Sequence, residues 1–303
     1  MAQPAAMRPS ESITVTGIKD VDKAVTKFVG EMTVPTRMAG KLARWQQGVC
    51  PITAGLRPEI AKFVSQHVKD VAAQVGAPVN RSDKCQPNIE IVFTTTPQGL
   101  LDHIRVLYPH LLGYHDNSAQ AEKLAAVTHP IQSWYSTATV DLHGNAQMDG
   151  VRTGGVTLEM PFTPGDGGGG GIQTSATGTV SMNMPDARVV SVTGGRLSDG
   201  VSSGLNHVVV AAEPAKLLEF EIGTLADYIA MLALAQTQLP ETCQELPTIL
   251  NLLVPGCDAP PKALTGVDLA YLRGLYKMTA TANFRGQRSE IIYQMDKSLG
   301  AGQ

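Results

Sequence analysis

Apolar residues recur at helical spacing in DVDKAVTKFVGEMT, where Val21, Ala24, Val25, Phe28 and Val29 form one stripe. A second stripe runs through RPEIAKFVSQHVKDVAAQVG, a helix opened by Pro58 and closed by Gly76, with Ile60, Phe63, Val64, His67, Val68, Val71 and Val75 as its expected buried face. Strand signals lie on either side of it. KLARWQQGVCP predicts a strand running into Cys50, and NIEIVFTTTP packs β-branched and aromatic residues into a short run ended by Pro97. Strand, helix, strand in that order points to a parallel crossover unit. SITVTG predicts a short strand near the N-terminus, and PQGLLDHIRVLYPHLLGYHD a helix broken near Pro109.

From about Ser133 to Thr193 the pattern changes to short alternating segments separated by Gly, Asn, Asp and Pro, which predicts β-hairpins. GDGGGGG, Gly165 to Gly171, lies within this stretch. It lacks the following helix with Lys and Ser or Thr that a phosphate loop needs, so it reads as a loop. After it, His207 to Ala212 is an apolar run typical of a buried strand. The chain therefore reads as α/β (α+β): a flexible tail over residues 1–18, then one domain over 19–303 with a mixed β-sheet, packed helices and a hairpin insertion at about 133–193.

LADYIAMLALAQ, Leu225 to Gln236, predicts a helix buried on more than one side. Leu225, Ile229, Leu232 and Gln236 share one stripe, while Ala226, Ala230 and Ala233 form a neighbouring stripe of small side chains. Thr224 with Asp227 three residues later has the form of a capping box. Farther on, ALTGVDLAYLRGLYK predicts a helix capped by Thr265 and Asp268, with Leu269, Leu272, Leu275 and Tyr276 facing inward.

The first of these helices resembles, in frame and apolar filling, the zinc helix of the metzincin peptidases, H-E-x-x-H-x-x-G-x-x-H. Ala226 and Ala230 fall where the first two histidines would sit, Asp227 on the glutamate, Ala233 on the glycine and Gln236 on the third histidine. PTILNLLVPGC lies where matrixin-like members place the turn beneath the metal, with Leu250 or Leu252 in place of its methionine, and the helix capped by Thr265 is similar to their closing helix. The resemblance covers Leu42 to Val92 and His207 to Lys277, and leaves the 133–193 insertion unexplained. It implies a metzincin-like core without a metal site, because alanine has no lone pair and glutamine is a poor zinc ligand. An unrelated α/β domain with an Ala-rich core helix also fits these residues and gives the same expectation on zinc.

Composition narrows the setting. A net charge of −3, with no Lys/Arg-rich run, lacks the basic footprint of a nucleic-acid partner. No apolar run reaches the roughly 20 residues of a bilayer span. Cys50 and Cys85 flank a predicted helix, and Cys243 and Cys257 flank a Pro-bounded loop; neither pair has C-x-x-C spacing. Of three possible connectivities, 50 with 85 and 243 with 257 closes the shortest loops, each bridge contributing about 3 to 4 kcal/mol. Disulfides imply a periplasmic or secreted protein, whereas four free thiols would fit the cytosol. The opening MAQPAAMRPSES is small and polar, as after removal of a signal peptide or in a frayed cytosolic start.

Candidate chemistry outside the helix is sparse. His103, His110 and His115 cluster in sequence, with Pro109 disturbing their register, and no G-x-S-x-G turn is present. Serines precede His207 in SDGVSSGLNH, and Trp45, Trp134 and Tyr135 fit either a groove or the core. The expectation is a catalytically inactive, cofactor-free, metzincin-like domain with a binding or structural role toward an envelope protein or surface component. The alternative is a hydrolase of another class, with a site near the insertion and His103, His110 and His115.

Overall fold

In the computed structural model, residues 20–82, 84–150, 155–161, 173–174, 179–185, 191–193, 195 and 198–300 are described. The strand expected over SITVTG and the glycine run lie outside them. The chain begins with α1 (Val21–Met32), whose N-cap Asp20 accepts from the Lys23 amide and whose Ala24, Val25, Phe28, Val29 and Met32 are buried. β1 (Ala43–Trp45) and β2 (Pro51–Ala54) follow, then α2 (Pro58–Val75), with proline in its first turn and Gly76 left-handed at its end. β3 (Ile89–Phe93) alternates buried and half-buried residues. α3 (Pro97–Leu107) stops before Pro109, which opens a 3-10 turn over Pro109–Leu112, and α4 is Ser118–Leu124.

β4 (Ile131–Val140) is the first strand of the segment expected as an insertion, yet it belongs to the main sheet. The pattern could not show this, because a strand looks the same whichever sheet it joins. β4 forms a hairpin with β5 (Ala146–Met148). β6 (Gly155–Pro161), β7 (Gln173–Thr174) and β8 (Thr179–Pro185) make a separate antiparallel sheet of order β6-β8-β7. The main sheet closes with β9 (Ser202–Ala212), five residues longer at its start than the apolar run beginning at His207. α5 (Ile222–Leu234), a 3-10 turn over Ile249–Leu253, α6 (Gly266–Lys277) and α7 (Phe284–Gly300) complete the chain.

The main sheet is mixed, as expected, in the order β2-β3-β9-β4-β5. β2, β3 and β9 run parallel, the crossover between β2 and β3 being α2, while β4 is antiparallel to β9. β1 pairs parallel with the first part of β9, at Ser203 to Leu205. Side chains alternate across β9, so Val208, Val210 and Ala212 enter a large core with α1, α2, α5, α6 and α7. Val209 and Ala211 face the other way, onto Trp134, Leu101, Ile104 and Leu112. Both tryptophans are therefore core residues, 1% and 4% exposed, and line no groove.

α5 lies in the thick layer. Every residue from Thr224 to Leu234 is buried except Asp227. Such burial denies water to the last carbonyls of the helix, which have no partner within it. Three aromatic side chains from three other elements supply the donors: Tyr135 Oη–H donates to Leu232 O at 2.9 Å, Trp45 Nε1–H to Ala233 O at 2.8 Å, and Tyr276 Oη–H to Leu234 O at 2.7 Å. Burial raises the Tyr135 and Tyr276 hydroxyls above the usual phenol range, which keeps them donors. Arg44, beside Trp45 on β1, does the same for α6, donating to the carbonyls of Leu275, Tyr276 and Met278.

Cys50 is bridged to Cys85 and Cys243 to Cys257, the pairing expected from loop length. Removing one donor from the end of α5 leaves a buried carbonyl unsatisfied. Tyr276→Phe and Trp45→Phe are each expected to lose about 1 to 3 kcal/mol in urea unfolding. A loss within error would mean that another group already serves those carbonyls.

Candidate functional site

The helix expected over Leu225 to Gln236 begins at Ile222, three residues before the expected start, so its N-cap is Glu221. Thr224 is thereby inside the first turn and buried, and the expected Thr224–Asp227 capping box does not form. At the other end the helix stops at Leu234, and Gln236 lies beyond it, no longer on the stripe with Leu232. Its Oε1 is buried without a partner. Ala226, Ala230 and Ala233 are wholly buried, and no cleft reaches them. The small-residue stripe is used for close packing.

Asp227 is the one acidic residue of α5 and the only half-open position in its middle turns. Its two carboxylate oxygens are both engaged. Oδ1 lies 2.6 Å from His67 Nε2 on α2, and Oδ2 accepts from the Leu264 amide at 3.2 Å, just ahead of α6. One side chain thus joins α5 to α2 and to the loop entering α6. His67, assigned by periodicity to the buried face of α2, is 27% exposed, and Phe63 from the same expected face is 44% exposed and stacks on the imidazole. The true buried face is narrower: Val64, Val68, Val71, Ala72 and Val75. The hydrogen bond to Asp227 holds the His67 imidazolium above its ordinary pKa; partial burial opposes this, and Asp70 adds a further favourable charge.

The helix expected over ALTGVDLAYLRGLYK forms with its cap, but of its expected inner face Leu272 and Leu275 are buried and Leu269 and Tyr276 half-buried, while Val267, Ala270 and Tyr271 are buried as well. Thr265 Oγ1 and Asp268 make a reciprocal capping box, and Asp268 is completely buried. Its carboxylate also accepts from Thr248 Oγ1 at 2.5 Å and the Ile249 amide at 2.9 Å, so it locks the 3-10 turn onto α6. This is a structural carboxylate with every acceptor used.

His103, His110 and His115 do not converge. His103 is exposed on α3, His110 sits in the 3-10 turn, and His115 Nδ1 is 2.9 Å from Gly113 O. Among the described residues no group of three or more His, Cys, Asp or Glu is placed to hold a metal ion. Beneath the 3-10 turn, His207 on β9 faces Glu90 on β3, with Nε2 3.5 Å from Oε1. The pairing draws the Glu90 carboxyl below its usual range, and burial with the nearby His207 lowers His110. Ser136 is the cross-strand neighbour of His207, at a register shift that leaves Asn206 without a partner residue on β4. Ser136 Oγ has no hydrogen-bond partner, but the residue has no exposed surface, so no substrate can approach it as a nucleophile.

No family model matches the chain, and neither the curated proteins nor the solved structures yield a match. The residues that organise the site were only partly visible in sequence. His67 and Asp227 are 160 positions apart, and each fitted a local role, as core face and as cap. Glu90 was signalled by its place between Ile89 and Ile91, which alternation turns to the opposite face of β3.

The His67–Asp227 pair makes stability depend on pH. Because the folded protein raises the His67 pKa, its contribution is complete below the unfolded value of about 6.5 and is lost as pH rises through the folded value. His67→Gln is expected to be less stable than the parent by about 1 kcal/mol under acidic conditions near pH 5.5, the difference shrinking by about pH 9. Urea midpoints at the two pH values measure it, and a difference unchanged with pH would show that the imidazolium charge plays no part.

Proposed function

We propose that the protein is a catalytically silent, metzincin-like domain of an oxidising compartment, periplasmic or secreted, with a binding or structural role toward an envelope protein or surface component. The observation that carries this reading is the state of α5. At the positions where zinc ligands would project, Ala226 and Ala230 are wholly buried and carry no donor atom, and the carboxylate aligned with the catalytic glutamate is bound by His67 and the Leu264 amide. A helix used in this way acts as a strut. The order of α5, a tight 3-10 turn, and α6 with its Thr265–Asp268 box supports the family resemblance.

The setting rests on the two disulfides, which favour a location outside the cytoplasm. Among the described residues no helix is long and apolar enough to cross a membrane. The hydrolase alternative has Glu90 facing His207, but Ser136, the cross-strand neighbour of His207, has no exposed surface.

Metal analysis of the purified protein is expected to find zinc well below one per chain, with thermal stability unchanged by chelators; one tightly held zinc whose removal lowers stability would overturn the reading. Restoring the ligands gives an independent check. Ala226→His with Ala230→His buries two bulky polar rings in a filled core and is expected to cost about 3 kcal/mol or more in denaturant unfolding. A stable double variant that binds zinc would show that this face of α5 is open.

A further inference from the structure

A groove of about 450 Å³ runs along the second half of α2, between the helix and the segment from Ala77 to Arg81, and meets the surroundings of α5 only through Asp70, whose charge also acts on His67. The volume falls within the roughly 300 to 1,000 Å³ of small-molecule sites. Its lining is mainly polar, with Ala73, Ala77 and Val79 as the small apolar contribution. Its walls carry both signs of charge. Among the described residues Lys69 and Arg81 have no ion-pair partner, and the Asp70 carboxylate accepts a hydrogen bond through Oδ1 alone, from the Gln66 amide at 2.8 Å, while its charge also favours the His67 imidazolium.

One wall is held rigidly. The Cys50–Cys85 bridge closes the loop that follows α2. Val79 pairs with Val49; the Val49 amide donates to Pro78 O at 2.9 Å and the Asn80 amide to Val49 O at 3.1 Å. Gly48 allows this approach, since a Cβ there would lie 2.7 Å from the Asn80 nitrogen. Asn88 ties the same region together, accepting from the Cys50 amide and donating to Gly48 O. A segment fixed by a covalent bridge and a backbone ladder is ordered before any ligand arrives, which reduces the entropy lost on binding.

We propose that this groove binds a small zwitterion, a free α-amino acid, with its carboxylate toward Lys69 and Arg81 and its ammonium toward Asp70. A simple anion would meet the Asp70 carboxylate, and a simple cation the two basic side chains. A ligand with both charges satisfies all three, and Ala73, Ala77 and Val79 leave room for a short side chain. Gln66 and Asn80 add amide groups at the rim.

The test is titration of the full-length, ¹⁵N-labelled, oxidised protein with glycine, alanine and glutamine, with acetate and ethylammonium as half-ligands. Saturable amide shifts confined to residues 66–81 are expected, with dissociation constants no weaker than the order of 1 mM and with the half-ligands at least about tenfold weaker. Lys69→Met, Arg81→Met and Asp70→Asn should each weaken binding by about tenfold, and Ala73→Trp, which fills the groove, should abolish it. All four positions are exposed or half-exposed, so their folding is checked by the unchanged remainder of the spectrum. Absence of saturation by any of the three amino acids overturns the proposal, as does acetate binding equally well, or affinity indifferent to the four substitutions. None of these results depends on the zinc content, so this proposal and the reading of α5 stand or fall separately.

Discussion

Everything in the large core is arranged around a helix with almost no free surface. α5 presents leucine, isoleucine, methionine and tyrosine on some sides and alanine on another, and a helix hydrophobic all round must be enclosed. Enclosure has a cost that the apolar side chains cannot meet: the terminal carbonyls lose water. The solution draws on Tyr135 from β4, Trp45 from β1 and Tyr276 from α6, each long enough to place a polar tip at the helix end while its ring stays in the core. The end of α5 therefore fixes how the sheet and α6 meet it.

Its middle is fixed by a different chemistry. Asp227 reaches His67 on α2 and the backbone before α6, and Asp268 ties the intervening 3-10 turn to α6. Two carboxylates thus hold α5, the 3-10 turn and the start of α6 together, with their oxygens taken up by groups of the protein itself.

Much of this fold was legible in the chain because single elements have single periods. The α2–β3 unit, the break at Pro109, the Thr265 box and both disulfides followed from local patterns, whereas the single strand read over KLARWQQGVCP is two short ones: Ala43–Trp45, which pairs with β9, and Pro51–Ala54, which starts after Cys50 and pairs with β3. What escaped depended on partners distant in sequence or on weak periodicity. α7 buries only Gln287, Ile291 and Met295, and its polar sequence gave no stripe to follow. Phe63 fitted the α2 stripe but stands outside the buried face, covering His67 instead. Thr224 and Asp227 matched a capping box in spacing, yet the helix starts earlier because Ile222 can extend it, which frees Asp227 for contacts 160 and 37 residues away. Whether β4 belonged to an insertion or to the main sheet was a question of pairing, on which a single strand's pattern is mute.

Native-state hydrogen exchange resolved by residue tests the central role of α5 most directly. If the helix is the enclosed strut described here, its amides from Tyr228 to Leu234 exchange only through global unfolding, as slowly as those of β9 and with the same denaturant dependence. Exchange of those amides through local opening, ahead of the sheet, would contradict the account.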